Sequence, residues 1–207
     1  SIKNESVEIV NEELIPEEMD DLIKSPNYIL KDDFIILPSK SGLMLVHAKR
    51  AMEQILYSRL HKSFISNPIE SQKMLFPIVI ETTENEKIKW EENKTILNQL
   101  GFTGEASSNS ITINSVPAIL QEEVISKTVD SIIATLMNGE IEKDDIAHEL
   151  ISNISYSGSK TKLNLNQKEE VTSLIDQLFQ CESHMHTPGG RKILETITIN
   201  DLNNLLD

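Results

Sequence analysis

The stretch GLMLVHAKRAMEQILYS, residues 42–58, decides how this chain folds. It opens as a short apolar strand, and from about His47 its character changes. Ala51, Ile55, Leu56, Leu60 and Phe64 then recur at helical spacing. A strand therefore runs almost directly into a helix reaching about residue 64. Upstream, residues 28–30 with 34–37 form apolar runs, and SKSG at 39–42 is a turn signal, so neighbouring strands precede the helix.

Downstream, Pro68 stops the helix. KMLFPIVIE at 73–81 reads as an apolar strand, with Pro77 placing its start near a sheet edge. Residues 83–100 read as one helix with Ile88, Ile96, Leu97 and Leu100 on one face. Thr83 and Glu86 suit a capping box, and Gly101 suits the position after the last turn. Residues 101–120 give two short strands around a polar turn, the second ended by Val116-Pro117. Helices follow at 121–137, carrying Val124, Ile125, Ile132, Ile133 and Leu136, and at 143–154. A loop over 155–166 leads to a last long helix at 167–180, capped by Asn166, with Val171, Leu174, Ile175 and Leu178 inward. The chain closes with the loop CESHMHTPGGR at 181–191, a strand at 192–199 and a short helix at 201–206, capped by Asn200 or Asp201. No repeat is visible, and the mixed order of elements predicts an α+β fold.

At 207 residues the chain can hold one sizeable domain or two small ones sharing a core. Aromatics make up only 4%, so Leu and Ile must provide the packing. The net charge of −14 repels phosphate backbones, and no Lys/Arg cluster stands out in the sequence, which makes the chain alone a poor candidate for tight DNA binding. One cysteine excludes an internal disulfide and fits a reducing cytoplasm. No apolar run approaches the roughly 18–20 residues that span a bilayer. Residues 1–25 are acid-rich and read as a solvated linker or a loosely docked segment. Starting at Ser1 without a signal peptide, the sequence reads as a piece of something longer.

Three segments together resemble the C-terminal dimerisation domain of the DNA mismatch-repair protein MutL. They are GLMLVHAKRAMEQILYS at 42–58; SQKMLFPIVIE at 71–81 with its helix, LGF and ITINSVP; and NQKEEVTSLIDQLFQC at 166–181 followed by TPGGRKI. The resemblance covers about residues 27–200. It implies two subdomains: a dimerisation subdomain from 22–66 and 164–207, and an inserted regulatory subdomain over 67–163, after an acidic linker at 1–21. It also implies an ATPase, with its ATP and Mg, in a separate N-terminal domain, and no cofactor in this one.

Nuclease-type members of that family read GLxIIDQHAxxExxxYE in the first segment. Carried over position by position, their Asp is His47 here, their Gln is Ala48 and their His is Lys49. Glu53 is kept, and the final Glu is Ser58. Their CPHGR becomes Thr187, Pro188, Gly189, Gly190 and Arg191, and their Ala-Cys-Arg would fall near 150–152, where neither Cys nor Arg occurs. Metal-assisted phosphodiester cleavage needs several convergent carboxylate, imidazole or thiolate ligands. Lys49 puts an ammonium where an imidazole would be, which opposes a cation.

Two readings stay open for the histidines. His47, Glu53, His184 and His186 could form a substitute metal site, or the histidines could be plain loop and surface residues. Cys181 follows the apolar face of the last long helix and reads as a small buried hydrophobe.

Gln72, Met74, Leu75 and Phe76, followed by Pro77, resemble the Gln-x-(Leu/Met)-Leu-Phe ligands of bacterial sliding clamps. MutL relatives carry a related Gln-x-Met-Ile-x-Pro here. The alternative is that these side chains begin a buried strand. Ile35, Ile36, Leu43, Leu45 and Val46 supply more apolar strand surface than one short helix covers, and the resemblance assigns it to a homodimer; otherwise it faces the chain's own core. The expected function is homodimerisation and partner docking in mismatch repair, without nuclease activity. Partners would be the sliding clamp and, through the longer protein, the mismatch-recognition protein MutS and mismatched DNA, with no membrane. The competing function is a metal-dependent nicking endonuclease with a rearranged site.

Overall fold

The computed structural model describes residues 28–138, 145–161, 163, 165 and 167–207. The linker at 1–21, residues 22–27 and the expected cap Asn166 lie outside them. Within the described residues the fold is mixed α and β, with two antiparallel sheets and seven helices.

The first sheet has the order β1-β2-β3-β7, from β1 (Ile29–Lys31), β2 (Phe34–Pro38), β3 (Gly42–His47) and β7 (Leu194–Thr198). The strand-turn-strand reading holds, with Ser39 and Gly42 exchanging backbone hydrogen bonds of 2.9 and 3.3 Å across the turn. Gly42 has φ +155°, and a Cβ there would stand 2.1 Å from the Ile197 carbonyl oxygen. Only glycine lets β3 approach β7 this closely.

Register sorts the side chains by face. Ile35, Leu37, Met44, Val46 and Leu194 point inward and are buried. Ile36, Leu43, Leu45 and Ile197 point outward and are half-buried, beside the exposed Ile29 and Phe34. The chain's own core thus takes Ile35 and Val46, while Ile36, Leu43 and Leu45 are left on the outer face.

Helix α1 (Ala48–Ser66) starts where β3 ends and takes part in two hydrophobic clusters. Ala48, Ala51 and Ile55 join the inner face of the first sheet, together with Val171, Leu174, Ile175 and Leu178 of α6 (Lys168–Phe179). One turn later, Leu60 joins a second cluster. A helix buried on more than one side must bury polar residues too, and Glu53 and Gln54 are those residues.

The second sheet has the order β4-β6-β5, from β4 (Ser71–Glu81), β5 (Thr103–Ala106) and β6 (Ser110–Pro117). Its cluster includes Trp90, Leu97, Leu100, Phe102, Ile111 and Ile113, with helices α2 (Glu84–Glu92), α3 (Lys94–Gln99), α4 (Glu122–Met137) and α5 (Ile146–Gly158) contributing. The Thr83–Glu86 capping box is present, and Gly101 has φ +92°.

Four expectations need correction. The helix over 83–100 is two helices, broken at Asn93, whose N–H reaches back to the Lys89 and Trp90 carbonyls. Ile88 is exposed, and Trp90 fills the core instead. Helix α5 continues to Gly158 through the expected loop. The last helix, α7 (Ile199–Asn204), is capped by Thr198, which forms a capping box with Asp201, rather than by Asn200 or Asp201. No helix among the described residues is long and apolar enough to cross a membrane.

Candidate functional site

The loop CESHMHTPGGR folds into a small hairpin. His186 bridges Lys192, the Thr187 N–H donates to the Arg191 carbonyl at 2.9 Å, and the Gly190 N–H donates to the Thr187 carbonyl at 2.9 Å. Gly190 sits at φ +77°, which favours glycine. The Thr187 hydroxyl accepts the Arg191 N–H at 3.2 Å. The hairpin is sewn to β3, because the Ile193 carbonyl accepts the His47 N–H at 2.8 Å. These bonds place Arg191 over α1.

There the Arg191 guanidinium forms an ion pair with the Glu53 carboxylate, which is only 3% exposed as a residue. Burial pushes the Glu53 carboxyl above its ordinary value, and Arg191, then Lys160 and Arg50, pull it back. Tyr156, at the end of α5, faces both Lys160, 4.1 Å from its ring centre, and Arg191, 4.9 Å from it. A hydrogen bond from Lys160 holds the Tyr156 phenol below its usual range. Arg50 donates to the Lys192 carbonyl at 2.7 Å. Lys49 pairs with Asp33 at 3.0 Å, and Lys192 pairs with Glu195.

His47 lies at the start of α1 with its ring 5.0 Å from that of Phe34, and its Nδ1 is buried without a hydrogen-bond partner. Burial, and next the positive charge of Arg50, lower its pKa. His184 packs edge-on against Phe179 at 5.3 Å. Among the described residues no group of three or more His, Cys, Asp or Glu side chains gathers as metal ligands do. The structure unites Glu53 with Arg191, and does not bring His47, Glu53, His184 and His186 together as one ligand set. Thr187 and Gly189 serve the hairpin turn. A donor set of one carboxylate already held by a guanidinium, with two further cations facing it, does not suit a divalent ion. Cys181 is buried, with its thiol pushed up by burial, and it donates to the Gln177 carbonyl at 3.3 Å.

The Gln72–Pro77 motif lies on β4, an edge strand. β4 pairs with β6 through Lys73 and again from Ile78, and the register shifts between them. Leu75 and Phe76 fall in that break and are 86% and 79% exposed. They do not belong to a buried strand. Met74 packs partly against the second cluster, and the Gln72 amide donates to the Leu120 carbonyl at 2.8 Å.

Sequence reading missed Arg50, Tyr156 and Lys160. Only tertiary structure brings them together, and no local signal marks them.

Comparison with known proteins fits this frame. The family model described as the MutL C terminal dimerisation domain matches residues 28–163. The DNA mismatch repair protein MutL of Halothermothrix orenii is 27% identical over 177 residues, covering 84% of this chain and 28% of that protein. The MutL of Bacteroides fragilis is 29% identical over 177 residues, covering 84% and 28%. For Phocaeicola vulgatus the identity is 29% over 181 residues, covering 86% and 29%. This chain spans less than a third of the length of these relatives. It belongs to the MutL C-terminal dimerisation domain family.

Proposed function

We propose that the chain holds two copies of a mismatch-repair protein together and docks partners, without cutting DNA. The observation that carries the reading is the outer face of the first sheet: Ile29, Phe34, Ile36, Leu43, Leu45 and Ile197 form an apolar surface opposite the helix-covered face. A second copy is the occupant, because the family is a dimerisation domain and a two-fold interface needs one self-complementary patch. A stable pairing buries roughly 800 Å² on each partner. Charge at the centre should abolish it. Leu45→Asp is expected to sediment as a monomer with an unchanged circular dichroism spectrum; a dimer retained in that variant would contradict the reading.

The two hydrophobic clusters support the division into a dimerisation subdomain, 22–66 with 164–207, and an inserted regulatory subdomain, 67–163. ATP and Mg would act in an N-terminal domain of a longer protein, as would contact with MutS and mismatched DNA. The unpaired, buried Cys181 suits the cytoplasm.

A sliding clamp is the second partner. Leu75 and Phe76 already stand out from the edge strand, so docking needs no unfolding. Truncating such an anchor costs about 2 kcal/mol, or about thirtyfold in affinity. Titrating the chain onto a bacterial sliding clamp, with Phe76→Ala beside it, should show that loss. Equal affinities would overturn the assignment. The endonuclease alternative is tested by plasmid nicking with Mn or Zn; nicking lost in Glu53→Ala would favour it.

A further inference from the structure

We infer that Arg50, Lys160 and Arg191 form a site for the phosphodiester backbone of a nucleic-acid strand, at the place where the nuclease-type pattern puts ligands for a metal cation. Arg191 keeps the Arg of that pattern, the ligands around it are lost, and Arg50 and Lys160 stand beside it. Three cations share the single Glu53 carboxylate, which leaves a local positive excess in a chain whose net charge is −14. Lys49 and Lys192 are matched by Asp33 and Glu195, whereas among the described residues neither Arg50 nor Lys160 has an ion-pair partner. A phosphodiester supplies the missing negative charge.

The cations are also held in place. Arg50 is tied to the Lys192 carbonyl at 2.7 Å, Lys160 rests 4.1 Å from the Tyr156 ring centre, and Arg191 is clamped between that ring and Glu53. Fixed donors lose less side-chain entropy on binding than free ones. The side chain of Arg191 is 40% exposed and Lys160 is exposed, so the site is an open surface. An open surface suits a polymer backbone better than a small enclosed anion. Binding should be weak and steeply salt-dependent, because the rest of the chain is anionic. Two cations engaged on single-stranded DNA give a slope of about −1.4 in log K against log salt, or about a sevenfold loss between about 50 and 200 mM salt. This inference is independent of dimerisation and of clamp docking.

The test is fluorescence anisotropy of a labelled single-stranded oligonucleotide with the whole chain, in low salt and in fourfold higher salt. Arg50→Ala/Lys160→Ala should weaken binding at least fivefold and flatten the salt slope. A control that removes Lys87 of α2 and Lys94 of α3 should leave both unchanged. Circular dichroism confirms that each variant is folded. No binding by the unaltered chain would overturn the inference, as would equal affinity in the double variant or an equal loss in the control. Inorganic phosphate serves as competitor: binding of phosphate without the oligonucleotide would overturn the nucleic-acid assignment.

Discussion

Removing the Arg191 guanidinium strands a buried carboxylate. Glu53 is 3% exposed, and Arg191 is its ion-pair partner. Deleting one member of a fully buried pair costs about 3–5 kcal/mol. Here the Arg191 side chain is 40% exposed, so solvent screens the pair and water can enter the space that alanine leaves. A discount of roughly half gives about 2 kcal/mol for Arg191→Ala. In a domain of this size that lowers Tm by about 4–8 °C. Glu53→Gln keeps the volume and removes the charge, while Arg191 can still reach water, so its cost should be about 1 kcal/mol or less. Placed in the Arg191→Ala background, Glu53→Gln should recover stability, with a coupling of about 1 kcal/mol or more in the double-mutant cycle. Calorimetric melting of the four proteins provides the numbers. Acidification adds a second signature. Without its guanidinium the Glu53 carboxyl rises further above its ordinary 4.5, so the deficit of Arg191→Ala shrinks as pH falls toward that value. If Arg191→Ala melts within about 1 °C of the parent, or Glu53→Gln recovers nothing in that background, the pair is not holding the hairpin to α1.

Two further outcomes follow from the same structure. Gly42→Ala meets the Ile197 carbonyl at 2.1 Å and an unfavourable φ, so it should destabilise by about 3 kcal/mol or more and loosen β7; denaturant titration reads this directly. His47 has a folded-state pKa below its ordinary 6.5, so the unfolded chain takes up its proton first. Its contribution is therefore present above pH 6.5 and is lost as pH falls through the lower folded value. Melting curves of the parent and His47→Gln should converge on acidification; a constant gap would contradict the burial of the neutral ring.

Much of the fold is legible in the sequence. The apolar runs of β2 and β3 are readable as strands, and helical spacing assigns Val171, Leu174, Ile175 and Leu178 to a core face, but the unbroken apolar runs do not tell which of Ile35, Ile36, Leu45 and Val46 turn inward. Legibility fails where tertiary packing overrides composition. SYSG reads as loop, yet in α5 Ser155 returns its hydroxyl to the Ile151 carbonyl at 2.7 Å. Gly158 lets α5 approach α1 so closely that a Cβ would stand 3.0 Å from Leu56 Cδ1. Trp90 sits among Lys and Glu residues that disguise a buried position, and a single core aromatic carries no period. At the degenerate locus the lost ligands are readable residue by residue. The gathering of cations from positions 50, 160 and 191 around Glu53 is not, since no sequence window contains them.

Sedimentation equilibrium addresses the central claim most directly. The account predicts a species of twice the 23.4 kDa chain mass at concentrations well above micromolar, reduced to one chain mass by Leu45→Asp. A parent chain that stays at 23.4 kDa throughout that range would contradict it.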